Sequence, residues 1–470
     1  MLTKRNIKYV ARIILAALPG TRRLLDLTTL YVRLNNRHLD ILPIKQTTNF
    51  SEDLMPPEGR KRLFYDVSAL YLNNDARGIH RVVINVLNQL FLSYADNFEV
   101  VTVRSTRNGI FRCKLDGRKD NIRKYPSEGE LINAKPGDIF ISLDLYRKFN
   151  FIALQELKRN GLKVYFVVYD LLDIRTCCLG ENDFLTRMMA RIARVTYKNW
   201  LHAVLTLSDG IVCDSHAIVT ELIEYLGKNE NKYQRTLPIG FFHLGADFTS
   251  SRSTIHDTYI HPLSAICGPQ NKPCFLMVGV MDPHKGHAQV IHAFEQLWHS
   301  GIDVKLIIIG KEGLLQPNIG ELIRRHEEFN HRLFWFEYVS DEVLLSFYNQ
   351  CTALIAASFS EGFGLPLIEA AHYRLPIIAR EIPVFKEVAG DYAYYFKNND
   401  ACDIVEAITN WLTLADQNKI PQSDGMPYLD WAASTSQLID VVVNNRWCVY
   451  WGVGESGQPK FTNYASIDHF

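Results

Sequence analysis

The stretch Ser358-Phe359-Ser360-Glu361-Gly362-Phe363-Gly364-Leu365-Pro366-Leu367-Ile368-Glu369-Ala370-Ala371 follows the apolar run Ala353–Ala357. The run reads as a buried strand, and the residues after it as a helix beginning near Pro366, because proline is favoured in a helix's first turn. Gly362 and Gly364 let the backbone approach a ligand closely, and free N–H groups at a helix start attract phosphate. Glu361 and Glu369 would be repelled by that phosphate, so they are expected to address neutral hydroxyls on either side of it. One anion site flanked by two hydroxyl-binding carboxylates is what a nucleotide-sugar needs. A strand–turn–helix carrying one solvated and one capping glutamate is the plainer alternative.

Outward from this stretch the same strand–loop–helix unit repeats. Phe275–Gly279, Val304–Gly310, Leu333–Phe336 and Pro376–Ala379 read as strands, with helices at Ala288–His299, Asp341–Gln350 and Leu367–Tyr373. Further upstream, strands are expected at Leu63–Val67, Val100–Arg104, Asp138–Leu143, Lys163–Tyr169 and Gly210–Cys213, with helices at Arg81–Leu92 and Phe184–Leu207. Such alternation implies parallel sheets covered by helices. A polar stretch with few signals separates the two halves. The expected units are therefore a domain over 61–250, a linker over 251–272, a second domain over 273–430, and a C-terminal helix and tail over 431–470. Ligands of doubly wound sheets bind at the carboxyl ends of strands, which directs attention to the loops facing the cleft.

The chain of 470 residues is 47% hydrophobic and 22% charged, which excludes wholesale disorder and favours two or three domains, each with its own core. Lys+Arg and Asp+Glu are both 51, so no global polycation for nucleic acid exists. No run approaches the roughly 18–20 apolar residues of a membrane span. The nine cysteines are scattered without C-x-x-C spacing and read as reduced, mostly buried thiols of a cytosolic protein rather than zinc ligands.

Residues 1–60 differ in character. Lys4, Arg5, Lys8, Arg12, Arg22, Arg23, Arg33 and Arg37 interleave with Ile7, Val10, Ile13, Ile14, Leu18, Leu24 and Leu25, the pattern of a basic amphipathic arm. Such an arm lies in an anionic membrane surface. Docking on the protein's own body is the alternative, and a signal peptide a third, although Arg12 interrupts its apolar stretch.

The spacing from Glu361 to Glu369 resembles the E-x7-E signature of retaining GT-B glycosyltransferases of family 4. The resemblance covers roughly positions 63–430. It implies two Rossmann-like domains facing a central cleft, with Glu361 holding the donor sugar, Glu369 the ribose, and Gly362, Phe363, Gly364 and Leu365 lining the diphosphate. Val278-Gly279-Val280-Met281-Asp282-Pro283-His284-Lys285-Gly286-His287 resembles the family loop whose lysine serves that diphosphate, here Lys285. Many relatives carry an arginine just after the strand glycine, where this chain has Val280, so another cation or backbone N–H groups must complete the site. Asp75-Ala76-Arg77-Gly78-Ile79-His80-Arg81 looks like the family's first loop over the donor phosphates, with Gly78 and Arg81 as its binding residues. Tyr169-Asp170 ends a strand where many relatives have His-Asp, so no histidine role carries over and Asp170 is the candidate for orienting the acceptor hydroxyl. Asp214-Ser215-His216, Phe242-His243-Leu244-Gly245-Ala246-Asp247 and Ile382-Pro383-Val384-Phe385 also look like the family.

A more detailed resemblance, through Arg77-Gly78-Ile79-His80-Arg81-Val82-Val83, Tyr169-Asp170-Leu171-Leu172 and Glu381-Ile382-Pro383-Val384-Phe385-Lys386-Glu387, is to bacterial enzymes that extend O-antigen and other lipid-linked polysaccharides. It implies hexosyl transfer, with mannose from GDP-mannose first and rhamnose a near competitor. The acceptor would be a lipid-linked oligosaccharide or polysaccharide at the inner face of the cytoplasmic membrane, reached by a peripheral enzyme able to join an assembly complex. No D-x-D triplet occurs in the chain, so charge on the diphosphate is expected to be neutralised without metal or other cofactor. A nucleotide-sugar epimerase and a non-catalytic assembly subunit are the alternatives of other classes.

Overall fold

The computed structural model describes residues 60–72, 78–113, 129–171, 184–233, 235–246, 266–267, 272–313, 319–397 and 399–452. The basic arm and most of the linker stretch lie outside the described residues.

The first half supplies strands β1 (Lys61–Asp66), β2 (Phe98–Thr106), β3 (Gly109–Arg112), β4 (Ile139–Ser142), β5 (Lys163–Val168), β6 (Gly210–Cys213) and β7 (Leu237–Phe241). The second supplies β8 (Cys274–Val278), β9 (Lys305–Ile309), β10 (Leu333–Phe336), β11 (Ala353–Ala356), β12 (Ile377–Arg380) and β13 (Ala393–Phe396). A last strand, β14 (Val449–Trp451), returns to the first sheet, whose order is β14-β7-β6-β5-β4-β1-β2-β3. The second sheet runs β10-β9-β8-β11-β12-β13 and is parallel throughout. In the first sheet only β3 and β14 pair antiparallel, at the two edges. Together these two sheets form a GT-B fold.

The strand sequences explain this arrangement. Val164–Val168 is buried at every position, as expected for a strand covered on both faces. Each sheet accordingly has an outer core of its own, one around Phe140, Phe166, Trp200 and Leu222, the other around Phe275, Phe294, Trp298 and Trp411. The inner faces share one continuous core that runs from Leu63, Val83 and Val212 to Leu276, Leu367 and Phe385. Burying each such side chain contributes about 1.5–3 kcal/mol, so the two halves are held together by apolar contact as well as by polar bridges.

The chain crosses back to the first sheet after the second. Asp430 caps the helix Trp431–Val442, its side chain accepting the Ala433 N–H at 2.7 Å. Trp447 then lies over Gly210, where a Cβ would collide with its ring, and stacks on Tyr165 at 5.8 Å between centroids. The terminal segment, expected as helix and tail, thus also carries an edge strand. No helix among the described residues is long and apolar enough to cross a membrane.

Candidate active site

The loop after β8 turns through Pro283–Lys285 and reaches the helix His287–His299 across Gly286, whose φ is 76°. Glycine tolerates that left-handed conformation, and a Cβ there would collide with the carbonyl oxygen of Ala357 at the end of β11. The loop is therefore pressed against the start of the stretch 358–371. The Phe359 N–H donates to the His284 carbonyl at 2.8 Å, knitting the two loops together. Across this seam the Lys285 ammonium donates to Glu361 Oε1, and the Ser358 hydroxyl donates to the same oxygen at 2.8 Å. Burial alone would raise the Glu361 pKa, but the Lys285 charge and hydrogen bond, with smaller help from His284 and Ser358, hold it below the usual range.

Gly362 touches the first half of the chain. A Cβ on it would collide with the Tyr169 carbonyl and the Asp214 carboxyl, and its own carbonyl accepts the Ser215 hydroxyl at 2.7 Å. Phe363 is buried, 5.5 Å from the His243 ring. Gly364, at φ 97°, precedes the helix Leu365–His372 and brings no capping side chain to its first N–H groups. Pro366 has no N–H and the Leu367 N–H turns back onto the Gly364 carbonyl at 2.9 Å, so it is the turn Gly362–Leu365 at the positive end of the helix that would address a phosphate.

Glu369 lies four residues into this helix and is 6% exposed. Its Oε2 accepts the Tyr348 hydroxyl at 2.6 Å, and its Oε1 accepts Arg81 Nη1 at 2.5 Å. Tyr348 is itself buried and stacked on Tyr373, with centroids 5.8 Å apart. Arg81 comes from the other half, in the first turn of the helix Ile79–Ser93, behind Gly78 at φ 57°. Asp75, Ala76 and Arg77 lie outside the described residues.

Asp170 follows β5 and is partly exposed; the Tyr197 hydroxyl donates to its carbonyl. Beside it Asp214 is buried, and burial, then Asp170, then Glu387 and Glu361 push its carboxyl well above the usual range. Its Oδ1 has no hydrogen-bond partner among the described residues. Glu387 accepts the N–H groups of His216 and Ala217 at 2.8 and 2.7 Å, and its Oε1 lies 2.7 Å from His243 Nε2. Burial would raise its pKa, but the His243 and His216 hydrogen bonds lead a set of contacts that lower it.

The second-half candidates Lys285, Glu361, Gly362, Phe363, Gly364, Leu365 and Glu369 therefore share one seam, and Arg81 reaches them from across the cleft. Gly78 shapes the approach of Arg81, and Asp170 lies near Asp214. Val280 is exposed and supplies no cation where many relatives have one. Sequence reasoning missed Tyr348 and Glu387. Tyr348 sits 21 residues from the carboxylate it orients, and no spacing rule connects them. Glu387 belonged to a motif already singled out, but its partners His216 and His243 lie in the other half.

Residues 267–423 match the family described as Glycosyl transferases group 1. The chain is 34% identical over 385 residues to the serotype-specific mannosyltransferase WbdA of Escherichia coli, an alignment covering 81% of this chain and 46% of WbdA. It thus spans about half the length of the curated relatives it matches. Among solved structures, a sucrose-phosphate synthase from Thermosynechococcus elongatus gives a TM-score of 0.53 at 15% identity, over 82% of this chain and 95% of that one. Anabaena HepE, solved with UDP and glucose, gives 0.52 at 13% identity, over 81% and 99%. At these identities the likeness concerns the fold.

Proposed function

We propose that this chain, whose residues 267–423 match the group 1 glycosyltransferases, is a retaining hexosyltransferase that moves mannose from GDP-mannose to a hydroxyl of a lipid-linked oligosaccharide or polysaccharide. The observation that carries the reading is the contact of Lys285 with Glu361 immediately before the uncapped helix start at Gly364. One cation from the loop after β8, and a helix start with two carboxylates from the loop and helix after β11, then lie along one seam, matching the charges and hydroxyls of a nucleotide-sugar. The mannosyl donor rests on the likeness to WbdA.

In this reading Glu369 receives the ribose, Glu361 the donor sugar, and Lys285 with the N–H groups at Gly362–Leu365 the diphosphate. The acceptor hydroxyl attacks the anomeric carbon from the face the diphosphate leaves. The bond from that carbon to the phosphate oxygen breaks, a bond to the acceptor oxygen forms, and the hydroxyl proton passes to an oxygen of the departing diphosphate. Asp170 orients the acceptor. Preorganised donors stabilise the leaving charge without needing a metal. The basic arm holds the enzyme on the anionic inner face of the cytoplasmic membrane, where an assembly complex would present the acceptor.

A panel of GDP-, UDP-, ADP- and dTDP-sugars tested by thermal shift and by diphosphate release, with and without acceptor, tests the proposal. Stabilisation by GDP-mannose and acceptor-dependent release support it. Release without acceptor would indicate an epimerase-like reaction, and no binding at all would indicate a scaffold.

A further inference from the structure

Arg81 and Glu369 face each other across the cleft at 2.5 Å, and each is a residue the donor would need. Glu369 has its Oε2 fixed by the Tyr348 hydroxyl, so Oε1 is the oxygen left for a ligand, and Arg81 holds it. The diphosphate, for its part, is short of positive charge. Lys285 already shares its ammonium with Glu361, and Val280 offers none. Glu369 lies four residues beyond Leu365, a rise of about 6 Å along the helix from the N–H donors that would hold phosphate. A rotation of the Arg81 side chain, 31% exposed, spans such a distance.

Resting on the transferase reading above, we infer that Arg81 is the second cation of the diphosphate site and that, in the empty cleft, it is stored on the ribose carboxylate Glu369. Binding exchanges partners: ribose hydroxyls take Glu369 Oε1, and Arg81 moves to a phosphate oxygen. Both charges remain paired only when ribose and diphosphate arrive together. A nucleoside alone must displace Arg81 without offering it a new anion. A diphosphate alone must draw Arg81 away and leave Glu369 unpaired and buried, which is costly. The pair thus selects the intact nucleotide against its fragments.

The inference fixes the sign of two effects. The probes are GDP, UDP and ADP, their nucleosides, and inorganic pyrophosphate, measured by calorimetry on the full chain with the base that wild type binds best. Arg81→Met should weaken the nucleoside diphosphate by about tenfold or more, as for a lost charge-assisted contact, while tightening the free nucleoside about threefold. Glu369→Gln should weaken the nucleoside diphosphate and tighten pyrophosphate. Parallel losses for nucleoside and diphosphate in Arg81→Met, or an unchanged diphosphate affinity, would overturn the inference. Where either variant does not fold, a wild-type structure with the diphosphate decides: Arg81 on a phosphate oxygen supports the exchange, and Arg81 still on Glu369 overturns it. A wild type that binds none of the diphosphates overturns the transferase reading together with this inference.

Discussion

Ser215 in the first domain donates its hydroxyl to the carbonyl oxygen of Gly362 in the second at 2.7 Å, while Ser215 Oγ caps its own helix by accepting the Ile218 N–H at 3.3 Å. The bond seats the loop bearing Glu361 on the ends of β5 and β6. The Tyr169 carbonyl, lying where a Cβ on Gly362 would be, closes the seat from the other side. Geometry at the proposed donor site is therefore set jointly by both halves of the chain.

Gly362→Ala should test that seat. A methyl group has nowhere to go between Tyr169 and Asp214, so the halves must separate slightly. Turnover is expected to fall by about 10²-fold, since small misplacements are costly in oriented reactions, while circular dichroism stays native. Full activity would show that the closed seam is not the working one.

Lys285→Ala should lower turnover by at least ~10²-fold with the fold intact, a typical loss for one preorganised electrostatic group. It also leaves Glu361 without its cation, so the Glu361 carboxyl should titrate at a higher pH than in wild type. Near-normal turnover in a folded variant would remove Lys285 from the chemistry.

The sequence made the second-half seam readable because its parts are local. Lys285 is marked by the strand expected at Phe275–Gly279 and the helix expected at Ala288–His299, and Glu361 by the apolar run Ala353–Ala357 and Pro366. Strands Gly210–Cys213 and Leu333–Phe336 fall where their apolar runs put them. The cross-cleft contacts were not readable in this way. Arg81 and Glu369 are 288 positions apart, and Ser215 and Gly362 are 147 apart, so nothing in local spacing joins them. Strand β14 was missed because three residues carry too little periodicity, and its docking rests on the pairing with β7, the buried Trp451 and the Trp447 ring over Gly210.

Glu361→Gln should damage turnover more than nucleotide affinity, and Glu369→Gln should do the reverse. The expectation follows from their positions before and after the helix start at Gly364. Separate measurements of diphosphate affinity and turnover check it, and equal effects in both variants would contradict the division.

Stability should fall as pH rises from about 4 toward neutrality, partly because of Asp66. Burial, then the Asp144 charge, raises its pKa to about 7 despite hydrogen bonds from Ser68 and Ser142. The folded state therefore holds a proton that the unfolded chain gives up near pH 4, and folding is penalised increasingly between about pH 4 and 7. Glu361 and Glu387, with lowered values, act oppositely, losing stability only as pH falls below their ordinary range. Asp66→Asn should flatten the decline in urea midpoint between about pH 4 and 7. An unchanged slope would show that Asp66 does not carry it.

The central claim is tested most directly by incubating the purified chain with GDP-mannose and a short hydroxyl acceptor in excess EDTA, then reading the product linkage by NMR. The account predicts acceptor-dependent release of one GDP per bond formed and a glycoside with the anomeric configuration of the donor. Release without acceptor, an inverted product, or activity that appears only when magnesium or manganese is restored would contradict it.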